Sequence, residues 1–245
     1  MKTEFLSWTK RMLPLCLLAC LPLGAQSQNI QLHYDFGRNI YTGEEAGRQK
    51  VTATLEQFKS DDWGSWYYFV DLDFNHRELM AAYTEISREL DLSKSLPLAV
   101  HAEYDGGLAS KVGSYQQAAL LGLAYNGHTD DFSKTWSVQL LYKQYFRDAN
   151  DNRSYSSAQL TGVWGLHFLD RKLTFSGFID FWRGQKANGH GCLVILSEPQ
   201  LWYNVNEHLS VGTEFEFSDN FVFNTDPASS KTFFFNPTLA LKWNF

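Results

Sequence analysis

The sequence predicts an all-β protein: an antiparallel transmembrane β-barrel of about twelve strands, formed by residues 28–245 behind a signal peptide at 1–27. Three observations predict it. The chain opens with the residue order of an export signal, alternates apolar and polar residues from Ile30 to Phe245, and joins its strands by connections that are by turns long and short.

Lys2, Lys10 and Arg11 form a positive n-region, and an apolar run from Met12 to Leu23 follows, broken only by Pro14 and Pro22. Gly24, Ala25, Gln26 and Ser27 read as a small-residue cleavage site, with Gln28 as the first mature residue. The run is too short for a spanning helix, which argues against an N-terminal anchor. Leu17-Leu18-Ala19-Cys20 could be a lipid-attachment box, but Leu21, Pro22 and Leu23 continue the apolar run past the cysteine. With Cys16 and Cys20 in the leader, Cys192 is left alone, so neither an internal disulfide nor a zinc site is expected.

The full chain carries a net charge of −6, and loss of the leader removes more basic than acidic residues. An acidic chain without a basic stripe argues against nucleic-acid binding, where phosphates need clustered Lys and Arg. After the leader, no run of about eighteen apolar residues occurs, so only a closed barrel could span a bilayer.

The strands follow in order. Ile30, Leu32, Tyr34 and Phe36 alternate with Gln31, His33 and Asp35, and Val51, Ala53 and Leu55 with Thr52, Thr54 and Glu56. Trp66, Tyr68, Val70, Leu72 and Phe74 oppose Tyr67, Phe69, Asp71 and Asp73. A weaker strand sets Ala82, Thr84 and Ile86 against Tyr83, Glu85 and Ser87, and Leu98, Val100, Ala102 and Tyr104 oppose His101, Glu103 and Asp105. The strand around 116–126 is apolar on both faces, so its register stays open. Trp136, Val138, Leu140 and Tyr142 then oppose Gln139, Lys143, Tyr145 and Arg147. Leu160 and Trp164 oppose Gln159 and Thr161, while Phe175, Ile179 and Phe181 oppose Ser176, Asp180 and Trp182. Ile195, Pro199, Leu201 and Tyr203 oppose Glu198, Gln200 and Trp202; Val211, Phe215 and Phe217 oppose Glu214 and Glu216. The last strand sets Phe233, Phe235, Leu239, Leu241, Trp243 and Phe245 against Asn236, Thr238 and Lys242.

Connections at 38–48, 76–81, 106–115, 148–155, 184–191 and 219–231 read as long or rich in Gly, Asn and Asp. Those between them are tight, with 127–134 the exception. Short turns at one end and longer loops at the other are a membrane-barrel pattern. A soluble sandwich would alternate similarly along each strand but has no reason to alternate its loops. Aromatics such as Trp66, Trp136, Tyr142, Trp164 and Tyr203 fall near the ends of apolar faces, where interfacial girdles sit. The final strand ends on Phe245, like the C-terminal signal of outer-membrane barrels.

If the apolar faces meet lipid, the lumen is lined by Tyr67, Phe69, Asp71, Asp73, Glu85, Glu103, Lys143, Tyr145, Arg147, Asp180, Trp182, Glu198, Gln200, Trp202, Glu214 and Glu216. Twelve strands fall between a filled barrel and an open porin, so a narrow pore is expected. Either the charges pair across strands and the rings plug the interior, or the rings stack a flat solute while carboxylates and Gln200 bind its polar edges. Neither reading needs a cofactor.

The stretches Trp66-Tyr-Tyr-Phe-Val-Asp-Leu-Asp-Phe74, Tyr83-Thr-Glu-Ile-Ser87, Ser197-Glu-Pro-Gln-Leu-Trp-Tyr203 and Asn236-Pro-Thr-Leu-Ala-Leu-Lys-Trp-Asn-Phe245 resemble the nucleoside-specific channel-forming (Tsx-like) outer-membrane proteins, as an uncharacterised branch. The resemblance implies a monomeric twelve-stranded barrel in a Gram-negative outer membrane, with a narrow aromatic and ionisable channel that passes nucleosides. The lumen residues above rest on strand parity, not on that resemblance.

Two other readings remain. A lipid-cleaving barrel enzyme would need a Ser-His pair facing lipid, but His101 and His167 fall on the inward face and no Gly-x-Ser-x-Gly elbow occurs. His190 reads as a loop residue, and Asp130-Asp131 falls short of a calcium loop. No enzyme is therefore expected. A structural or adhesive barrel would work through its loops, and Phe221, Val222 and Phe223 in the last one would be sticky unless folded inward as a constriction.

Overall fold

The computed structural model describes residues 28–245 except 76–77, 111–112, 149, 151 and 187–188. The expected signal peptide, with Cys16 and Cys20, lies outside the described residues. Twelve strands cross the molecule: β1 Gln28–Asp35, β2 Val51–Asp61, β3 Gly64–Asn75, β4 Glu78–Asp91, β5 Leu98–Ala109 and β6 Ala118–His128. The second half comprises β7 Lys134–Tyr145, β8 Tyr155–Phe168, β9 Leu173–Gln185, β10 in two segments Gly191–Ser197 and Gln200–Asn204, β11 Leu209–Asp219 and β12 Phe233–Asn244. Each pairs antiparallel with its sequence neighbours, and β12 returns to β1 with Asn244 opposite Asn29. The sheet is a closed antiparallel barrel, so every strand has two partners and no edge is left open.

The interruption in β10 is chemical rather than topological. Pro199 has no N–H for the ladder, yet Ser197 opposes Ile179 and Gln200 opposes Ser176 in one unshifted register. Side-chain alternation therefore continues across the break. Gly177 lies opposite with φ 150°, and a Cβ there would stand 2.5 Å from the Glu198 carbonyl oxygen. Glycine is what lets the two backbones approach.

Outward and inward faces follow the period-two reading. Leu32, Val138, Leu140, Leu160, Leu239 and Leu241 are exposed, whereas Gln31, His33, Gln139, Gln159, Ser210 and Asn236 are buried. Apolar outside and polar inside is the reverse of a soluble protein and suits a lipid surround. Strand β6 resolves its ambiguity by turning Leu121, Leu123 and Tyr125 outward. Its inward Ala118 and Leu120 pack with Leu141 of β7 and against Tyr145, a small apolar cluster inside the barrel. Both faces of β6 are apolar because each meets an apolar neighbour.

Connection lengths depart from the sequence reading in several places; β5, for one, runs on to Ala109, well into the 106–115 stretch. Glu78 already belongs to β4, so most of 76–81 is strand, and the β3–β4 register shifts between Asp73 and Phe74. The apparent exception at 127–134 disappears, because β6 runs to His128 and β7 starts at Lys134. In that turn Asp131 accepts hydrogen bonds from the Thr129 hydroxyl at 2.7 Å and the Ser133 amide at 3.0 Å. These donors hold the Asp131 carboxyl below the usual carboxylate range. Its role is to tie the turn.

Candidate functional site

The lumen is built by strand parity, and one wall of it is an aromatic and acidic track. On β3, Tyr67, Phe69, Asp71 and Asp73 point inward in succession, half-buried rather than sealed. Ring contacts run from Tyr67 to Phe69 at 6.2 Å, from Phe69 to Tyr83 at 6.0 Å and from Tyr83 to Tyr115 at 5.9 Å. Carboxylates flank the rings. The Tyr67 hydroxyl donates to Glu56 at 3.3 Å and the Tyr83 hydroxyl to Glu85 at 2.9 Å. Thr54 donates to Asp71, and Thr52 to Asp73 at 2.6 Å.

The opposite wall brings Asp180 from β9, Glu198 and Gln200 from β10 and Glu214 from β11, all half-buried. Thr161 donates to Asp180, and the Gln200 amide donates to Glu214 at 2.7 Å. The two walls are close: Glu198 interacts electrostatically with Asp71 and Glu85, and Glu85 with Asp180. A solute in the lumen would meet carboxylates from both sides.

Other inward residues are spoken for. Lys143 sits 3.0 Å from Asp105, donates to Gln159 at 2.9 Å, and lies 5.1 Å from the Trp182 ring centre and 5.3 Å from that of Tyr145. Glu85, Glu103 and Asp105 bring carboxylate oxygens within 4.8 Å of one another, and the Lys143 ammonium already supplies a positive charge there. His101 bridges Glu89 and Glu103, each 3.1 Å from a ring nitrogen. Trp182 packs with Val194 and Leu196.

These placements divide the sequence-predicted set. Tyr67, Phe69, Asp71, Asp73, Glu85, Glu103, Tyr145, Asp180, Glu198, Gln200 and Glu214 face the lumen with part of their surface accessible. Lys143, Trp182, Trp202 and Glu216 also point inward but are buried in the wall packing. Trp202 is only 1% exposed, its Nε1–H bonded to Gln200 and its face covered by Lys242 at 4.0 Å. A ring so enclosed offers no stacking surface to a solute, which corrects the expectation for it. Arg147 lies two residues beyond β7 and is exposed, so it lines no strand. Parity was extended there past the end of the ladder.

Sequence reasoning missed the residues that cap one end of the barrel, because they come from the 36–50 connection, where no period operates. A short helix, α1 Gly37–Ile40, turns this loop inward. Arg48 then binds Asp35 at 2.9 Å and Glu216 at 2.8 Å, with Glu45 at 3.8 Å. Burial works against the Arg48 charge, but Glu216, Asp35 and Glu45 outweigh it and hold the guanidinium above its ordinary range. Glu45 is 2% exposed and accepts from the Asn236 amide at 2.9 Å. Tyr41 packs edge-on against Phe234 at 5.2 Å. The loop is pinned to the 220–232 connection through the Thr225 amide, which donates to the Glu44 carbonyl at 2.7 Å. Of the expected constriction at 221–223, Phe221 touches the inward Trp182 ring at 5.9 Å, while Phe223 stays 83% exposed.

Solved structures of similar architecture include porins. The NanC porin matches with a TM-score of 0.57 at 13% identity, over 89% of this chain and 99% of that one. The KdgM porin matches with a TM-score of 0.50 at 12% identity, over 89% and 99%. At such identities the likeness concerns the fold. No curated protein matches the chain in sequence. The family described as "Domain of unknown function (DUF5020)" matches residues 27–245.

Proposed function

The chain belongs to the DUF5020 family, whose description carries no activity, and we propose from the lumen that it is a porin-like channel of an outer membrane. It passes small, flat, polar solutes that are neutral or cationic, with nucleosides the leading class. The observation that carries this reading is the accessible track of Tyr67, Phe69 and Tyr83, with Asp71 and Glu85 beside it. Rings present faces to a planar solute, carboxylates accept from its polar edge, and an acidic lining disfavours anions. The exposed apolar exterior supports a bilayer setting, and the porin folds of similar structures support passage through the lumen. The likeness of the Trp66–Phe74 and Asn236–Phe245 stretches to the nucleoside-specific channels supports the solute class. Solute would enter at the end carrying the 36–50 and 220–232 loops, opposite the chain termini.

An enzyme reading has less support. His33 and His167 meet threonine hydroxyls inside the barrel at 3.1 and 3.0 Å, and His101 meets carboxylates. These positions face away from lipid. The deciding experiment is flux into proteoliposomes of a labelled nucleoside, a neutral sugar of similar size and an anionic sugar. Saturable nucleoside entry that slows on Phe69→Ala supports the track. Equal entry of the nucleoside and the neutral sugar reduces the reading to a general pore. Entry of none, by a folded barrel whose 36–50 loop has been released, sinks the channel.

A further inference from the structure

The loop that caps the barrel carries a chemical peculiarity. The Asn236 amide nitrogen donates to Glu45 Oε1 at 2.9 Å and to Glu216 Oε1 at 3.0 Å. Its oxygen Oδ1 and the second Glu45 oxygen, Oε2, are both buried and meet no donor among the described residues. The two oxygens crowd the same spot: a Cβ on Gly37 would stand 2.4 Å from Asn236 Oδ1 and 2.7 Å from Glu45 Oε2. Turning the amide over would set its oxygen against two carboxylates, so the orientation is fixed by its neighbours. Two buried acceptors side by side are costly unless a proton joins them.

We propose that Glu45 is a proton-operated latch on the 36–50 loop. In the closed state its carboxylic acid donates from Oε2 to Asn236 Oδ1 while Oε1 accepts from Asn236 Nδ2, a cyclic acid–amide pair. Deprotonation leaves a carboxylate facing a carbonyl oxygen, and the loop is released from the barrel mouth. This inference concerns gating and rests on the channel reading only for its conductance readout.

The surrounding charges bear on the sign. Arg48, from the same loop, favours the Glu45 anion; Asp35 of β1 and Glu216 of β11 disfavour it, and Asp73 of β3 is within electrostatic range of Arg48. Arg48 is already bound at 2.9 and 2.8 Å by Asp35 and Glu216, and stands 3.8 Å from Glu45. Burial, the largest influence, lifts the Glu45 pKa above its ordinary value. An acid whose pKa is raised by docking binds its proton more tightly when docked. Docking is therefore fully supported below the undocked pKa, and that support is lost as pH rises through the raised value. Each unit of elevation corresponds to about a tenfold change in the docked-to-released ratio.

The test compares the membrane-inserted wild type with Glu45→Gln, whose amide can donate and accept in the same places without a titratable proton. Trypsin cleavage after Arg48 and Lys50 reports loop release independently of transport, and single-channel conductance reports its effect. Comparing variants at each pH cancels the protease's own pH dependence. The wild type should become more readily cleaved than Glu45→Gln as pH rises from about 4 to about 8, by about tenfold or more, with conductance rising in step. Gly37→Ala, which places a methyl between the two oxygens, should be cleaved readily at every pH. Cleavage that rises equally in wild type and Glu45→Gln, or in neither, would overturn the latch. Loop release without any conductance would keep the latch and count against the channel instead.

Discussion

Arg48→Ala tests whether the 36–50 loop is a separable cap or part of the barrel wall. The Arg48 side chain is 12% exposed and its guanidinium holds Asp35 and Glu216 at 2.9 and 2.8 Å, with Glu45 beside it. Removing one partner of a buried ion pair costs about 3–5 kcal/mol, because the remaining charge is left without compensation. Here Asp35 and Glu216 lose their common cation. The barrel strands are held by their ladders, so the cheapest relief is for the loop to swing out and admit water. At about 1.4 kcal/mol per decade, the released-to-closed ratio should rise by roughly a hundredfold to several thousandfold. Planar-bilayer recording should show larger or longer openings, and trypsin should cut at Lys50 far faster than in the wild type. Arg48→Lys, which keeps the charge but loses the fork that reaches two acids, should fall between. Wild-type conductance and wild-type protection in a folded Arg48→Ala barrel would refute the cap. A barrel that no longer folds would place Arg48 in the wall instead.

Three further outcomes follow from the placement of individual side chains. Trp202→Ala should lower stability by about 3–5 kcal/mol with little change in selectivity, since the ring is enclosed by packing; thermal unfolding in detergent measures it. Leu201→Arg should impair insertion by about 2–4 kcal/mol if its depth is near the bilayer midplane, whereas Gln200→Arg should fold and shift ion selectivity, and equal folding defects would contradict the assigned faces. Asp71→Asn combined with Asp180→Asn should move the reversal potential in a salt gradient toward zero from the cation-selective side, and an unmoved potential would show that other groups set the field.

Strand parity was legible because it depends only on the chain's own alternation. Once Leu32, Leu140 and Leu241 face lipid, Gln31, Gln139 and Lys242 must face inward. Even the Pro199 break obeys it, since the ladder register is unchanged on either side. Accessibility was not legible. Asp71 and Trp202 have the same inward parity, yet one is half-buried and the other lies fully enclosed under Lys242 and beside His33. That difference depends on which side chains from neighbouring strands fill the space, a property of closure rather than of any one strand. The register of β6 depended likewise on Leu141, a residue of the next strand. Glu45 and Arg48 were least visible, because a loop has no period to place them; the only signal was two charges and Gly37 beside a strand end.

The interior acids are not equivalent. Asp105, Glu89, Glu103, Asp35 and Glu216 each contact a cationic or ionisable side chain, Lys143, His101 or Arg48. Asp71, Asp73 and Asp180 are held by threonine hydroxyls, donors that orient a carboxylate without cancelling its charge, while Glu214 accepts from the Gln200 amide and also lies 3.9 Å from the His33 ring. The first group therefore fixes the wall and the cap, and its substitution should appear first as lost folding or lost closure. The second group keeps its field for whatever enters between the walls. Low-dielectric barrel walls around these groups strengthen that field. The same fold thus separates its carboxylates into those that hold the barrel and those whose charge is left uncancelled inside it, and hydroxyl donors mark the second kind.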